Sequence, residues 1–114
     1  MNALPKVHKH VTPKAQEMIK AKGLATVLDR VFQEIQSLPL AKFQVQKVEV
    51  DWEVDPEVEG WETLFVTLWC YGSVDDAQEC WSELDKAMAR LRQKLSKDDL
   101  DKLNKLISVG VDTE

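Results

Sequence analysis

The chain has 114 residues and a formal net charge of −5, which suits one domain with a single modest core. No apolar run approaches the roughly 20 residues of a membrane helix, and Met1 to His10 lacks the apolar stretch of a secretory signal, so a cytoplasmic protein without a membrane partner is expected. Residues 1–47 hold eight Lys or Arg against three acids, whereas residues 48–85 hold twelve acids and no Lys or Arg, a field that repels nucleic acid and attracts basic surfaces.

Residues 1–11 show no usable periodicity and read as a mobile tail ahead of a single domain spanning 12–114. His8 and His10 would share one side of an extended segment, but two imidazoles fall short of the three or four ligands of a metal site, so no metal is expected. Thr12-Pro13 is a helix start: a hydroxyl cap, then proline where its missing N–H costs nothing. That helix carries Ala15, Met18 and Ile19 and meets a terminating glycine at Gly23. A second amphipathic run follows, with Leu24, Val27, Leu28, Val31, Ile35 and Leu38 on one stripe, and Pro39 closes it.

Val48, Val50, Trp52 and Val54 alternate with Glu49, Asp51, Glu53 and Asp55, the pattern of a strand with one buried face. Phe43 and Val45 are in the opposite phase, which implies a bulge or a late strand start near Gln46-Lys47. The loop from Asp55 to Gly60 leads to a second strand, Trp61 to Tyr71. Leu64, Val66, Leu68 and Cys70 lie on one of its faces; Trp61, Phe65, Trp69 and Tyr71 lie with threonines on the other. A strand apolar on both sides is expected at the centre of a sheet, and the carboxylate-bearing strand at its edge. Ser73 with Asp76 resembles a capping box. It opens a helix of about 20 residues, some 30 Å long, with Ala77, Cys80, Trp81, Leu84, Met88, Leu91 and Leu95 as its apolar stripe. Ser96 caps a short helix, and Ile107, Val109 and Val111 form a last strand.

The order α-α-β-β-α-α-β predicts an α+β fold with a small three-stranded mixed sheet: an antiparallel hairpin plus a C-terminal strand parallel to the second strand. The aromatic set Trp61, Phe65, Trp69 and Tyr71 should be covered by the N-terminal helices or by a second copy, and a homodimer is expected. Glu49, Asp51, Glu53, Asp55, Glu57 and Glu59 line up along an extended strand about 6.5–7 Å apart. This does not resemble a calcium loop, and a solvated strand offers no apolar pocket to separate two carboxylate pKa values. Cys70 has no histidine near it in sequence to activate it. No glycine-rich phosphate loop, CxxC or HExxH occurs, so no catalytic residue and no cofactor are assigned. Two functions lead, with an enzyme as the third choice. The first is a non-catalytic interaction protein, antitoxin-like or inhibitor-like, whose acidic hairpin docks a basic protein. The alternative is a ligand-binding domain with its pocket between the aromatic sheet face and the N-terminal helices.

Overall fold

The computed structural model describes residues 7–113. The elements run β1 (His8–Val11), α1 (Pro13–Ala21), α2 (Ala25–Gln36), β2 (Val45–Val54), β3 (Glu62–Cys70), α3 (Val74–Lys94), α4 (Lys97–Leu106) and β4 (Ile107–Thr113). The sheet order is β1-β2-β3-β4, with the central pair antiparallel and both outer pairs parallel. The α+β class therefore holds, as do the hairpin and the parallel C-terminal strand. Among the described residues the sheet has four strands rather than three.

The additional strand comes from the segment expected to be a mobile tail. His8 pairs with Lys47 and the register continues to Val11 opposite Val50, so β1 occupies the edge expected of β2. The part of that expectation concerning residues 1–6 lies outside the described residues, as does Glu114. The driving force is the backbone: each strand edge carries N–H and C=O groups that need partners. Thr12 fixes the end of this pairing. Its amide donates to the Val50 carbonyl at 3.0 Å, and its hydroxyl donates to Asp51 Oδ1 at 2.9 Å while accepting from the Ala15 amide at 3.2 Å. One side chain thus caps α1 and ties that helix to β2.

Other local signals act as the sequence predicts. Gly23 (φ +64°) follows α1 and Gly60 (φ +79°) precedes β3, both in the left-handed region that glycine enters without strain. The pairing register shifts between Val45 and Lys47, which places both Val45 and Val48 in the core. Both halves of the Ser73–Asp76 capping box form, each at 3.1 Å.

From the sheet, Val48, Val50, Trp52, Leu64, Val66, Leu68 and Cys70 join one buried cluster with Val27, Val31 and Ile35 of α2 and Cys80, Leu84, Met88 and Leu91 of α3. The helices therefore share one face of the sheet. Trp81 departs from its expected stripe: it is 46% exposed, and Ala87 is buried instead. The geometry has a topological consequence. β1 and β2 run one way, β3 and β4 the other, while the strand order advances steadily across the sheet. Two helical crossovers on one face of such a sheet have opposite hands, so one departs from the strong right-handed preference. Thr12→Val should lower the unfolding free energy by about 1–2 kcal/mol in urea titrations, whereas Thr12→Ser keeps most of it. Asp51→Ala should add less in the Thr12→Val background than alone, since the two share one hydrogen bond.

Candidate interaction face

Among the described residues no helix lies on the opposite face of the sheet, although the Trp81 ring of α3 comes within 3.3 Å of where a Cβ on Gly110 would stand and Gly110 pairs with Thr67 of that face. The strand register dictates what the face displays. Lys47 stands beside Trp69, Glu49 beside Thr67, Asp51 beside Phe65 and Glu53 beside Thr63. On the outer side His8 pairs with Lys47 and His10 with Glu49, and on the other Asp112 pairs with Trp69. Paired residues point to the same side of a sheet, so these groups form one surface of carboxylates, threonines, two aromatic rings, one lysine and two histidines.

The aromatic residues are neither buried by helices nor fully in water. Phe65 and Trp69 are half-buried, and Trp61 and Tyr71 are exposed. Trp61 packs against Phe65 with ring centroids 6.3 Å apart and planes tilted by 52°. Thr67 separates this pair from Trp69 along β3. The indole N–H of Trp69 is shielded from solvent and has no acceptor among the described residues, an arrangement that costs about 1–3 kcal/mol. Lys47 reaches over the same ring, its ammonium 5.6 Å from the Trp69 ring centroid and 3.9 Å from Glu49 Oε2. It lies in phase with the acids along β2, so its place on this face was readable from the alternation.

The six acids divide by role. Asp51 accepts from Thr12 and from the Trp52 amide. Asp55 accepts from the Glu57 amide at 2.9 Å and shapes the hairpin loop. Glu49 faces Lys47. Among the described residues, the side chains of Glu53, Glu57 and Glu59 make no hydrogen bond or ion pair. The edge placement predicted for the acidic strand is corrected as well. β1 covers β2 through Val50, so these acids lie across a sheet face and its loop, and only the Asp51–Val54 end of β2 extends past β1.

The pocket expected between the aromatic residues and the N-terminal helices is not formed, because α1 and α2 pack on the other side. A cavity of about 550 Å³ lies on that helix-covered side instead, at the C-terminal end of α2. Among the described residues no three His, Cys, Asp or Glu side chains converge as a metal would require, and no helix is long and apolar enough to cross a membrane.

The two cysteines are buried and unbridged. The Cys70 thiol donates to the Phe43 carbonyl at 2.9 Å. Burial, with Cys70 as a neighbour, pushes the Cys80 thiol from 9.0 up to about 11. A nucleophilic cysteine needs the opposite shift, because the thiolate is the reactive form. No protein family, curated protein or solved structure matches this chain.

At mildly alkaline pH, both thiols should resist a disulfide reagent in the folded protein and react once urea unfolds it. The Cys80 shift also has a sign in stability. Between about pH 9 and 11 the unfolded chain releases this proton and the folded chain keeps it, so its contribution is intact below 9 and is lost as pH rises through that window. Melting temperature should fall more steeply there in the wild type than in Cys80→Ala.

Proposed function

We propose that the chain is a non-catalytic cytoplasmic interaction protein whose uncovered sheet face docks a basic segment of a partner protein, in the manner of an antitoxin or inhibitor. The observation that carries this reading is Lys47. Its ammonium sits between the Trp69 ring and the Glu49 carboxylate, so the face already accommodates a cation of the kind a partner would bring. Each half of that internal contact is weak: an exposed cation–π contact is worth about 0.5–1 kcal/mol and an exposed ion pair up to about 1 kcal/mol. A partner supplying several Lys or Arg could displace it and still gain. Glu53 lies exposed on the same face, and Glu57 and Glu59 extend the negative field into the exposed hairpin loop.

The homodimer expected from the aromatic residues fits this face less well. A face-to-face copy would bring an acid-rich surface, Glu49, Glu53 and Asp112 included, against the same surface of its partner, a like-charge juxtaposition that costs binding energy. A basic partner removes that repulsion.

A twelve-residue oligo-arginine peptide, followed by tryptophan fluorescence, should bind at low salt and release at high salt. Glu49→Lys with Glu53→Lys should weaken binding about tenfold or more, as two lost surface pairs would. Asp85→Lys with Asp101→Lys makes the same charge change on exposed positions of α3 and α4, and should leave the affinity within about twofold. Equal losses in the two double variants would reduce the effect to net charge and sink the assignment of this face.

A further inference from the structure

We infer that the cavity at the C-terminal end of α2 is a binding site for an amphipathic carboxylate, a molecule with one anionic head and an apolar body. At about 550 Å³ it falls within the usual 300–1,000 Å³ of small-molecule sites. Its walls are mostly apolar, supplied by Phe32, Ile35, Leu38, Leu40 and Val48. Among the described residues, the polar side chains in its lining are Lys9, Lys42 and Gln36, and no Asp or Glu contributes. In a chain of net charge −5, the charged residues of this lining are two lysines, which favours an anion, although the Lys42 ammonium rests 3.6 Å from Glu79 and 5.6 Å from the Phe43 ring centroid.

Strand alternation puts Lys9 there. It pairs with Val48, so it points to the helix side while His8 and His10 point to the acidic face. Its ammonium stands 4.4 Å from the Phe32 ring centroid. A ring face is a weak partner, and Lys9 has three N–H donors, so donors remain for a carboxylate. Lys42 follows Pro39 and approaches from the turn that leads to β2. Its ion pair with Glu79 spans 3.6 Å between side chains that are both mostly exposed, a contact of little net worth that a ligand carboxylate can replace. The apolar walls argue against a polyanion, whose further charges would be desolvated without partners.

The site lies across the sheet from the proposed docking face and stands or falls independently of it. The test uses decanoate and 1-decanol, titrated calorimetrically into the full chain, with methyl and amide NMR shifts to locate binding. Decanoate should bind about tenfold or more tighter than 1-decanol, moving signals of Ile35, Leu38 and Val48 and leaving Thr67 and Trp69 in place. Lys9→Gln with Lys42→Gln should bring decanoate to the affinity of the alcohol. Ala41→Trp, at an exposed position on the rim, should abolish both while the melting temperature is kept. The inference is overturned by no binding to the wild type, by equal affinities for acid and alcohol, or by shifts confined to the other sheet face. Two further outcomes also overturn it. Decanoate binding that needs deletion of residues 1–6 would make the chain's own N-terminus the occupant. A dimer in sedimentation that Ala41→Trp converts to monomer would make a second copy the occupant.

Discussion

The pairing register of β2 with β3 decides which groups this protein buries and which it displays. Val48, Val50 and Trp52 stand opposite Leu68, Val66 and Leu64, while Glu49, Asp51 and Glu53 stand opposite Thr67, Phe65 and Thr63. A slip of one residue would exchange the two sets. Three carboxylates would then enter the helix layer without partners, each at a cost of several kcal/mol. The bulge between Val45 and Lys47 absorbs the one place where the sequence changes phase. It is held by Gln44, whose carbonyl accepts from the Tyr71 amide at 3.0 Å and whose φ of 55° turns the chain into the strand. β1 and β4 inherit their facing from this pair through their own registers.

The helices of this chain pack on one face of the four-stranded sheet. The other face then has to tolerate water and still favour extended backbone. Threonine and aromatic residues do both, since they pack well on a pleated, half-buried surface. That explains β3, where Thr63, Phe65, Thr67 and Trp69 alternate with Leu64, Val66, Leu68 and Cys70. The strand that looked apolar on both sides is apolar on one and amphipathic on the other. The same arrangement forces the two crossovers to opposite hands. The right-handed preference belongs to the twist of an isolated β-crossover-β unit, and here a shared helix layer in which α2 packs on α3 outweighs it for one of the two.

What the sequence made legible was local. Thr12-Pro13, Ser73 with Asp76, and Ser96 marked helix starts because caps act within three or four residues. The alternation of Val48 to Val54 and the phase change before it marked β2 and its bulge. The features that escaped are long-range. β1 is a strand of only four residues, three of them exposed, and its stability comes from backbone pairing with residues 39 positions away. No periodicity can report such a contact. The stripe on α2 was visible, but a stripe does not say which face of a sheet it meets. That missing choice moved the expected cover off Trp61, Phe65, Trp69 and Tyr71. The acids were visible as charge, while the engagement of Asp51 by Thr12 depended on where β1 delivers the start of α1.

β1 is therefore more than an edge completed by chance. Its four residues alternate between two environments of opposite chemistry: His8 and His10 fall on the carboxylate-bearing face, and Lys9 and Val11 on the helix side. Lys9 is the one lysine of the strand, and its ladder position carries it away from the acids and toward Phe32. A one-residue shift of β1 along β2 would reverse this, sending Lys9 to Glu49 and the histidines to the apolar wall. Two constraints oppose the shift. The Thr12 amide is bonded to the Val50 carbonyl, and the Thr12 hydroxyl is bonded to Asp51. This one cap pins the register of the shortest strand, and with it the side of the sheet on which His8, Lys9 and His10 lie.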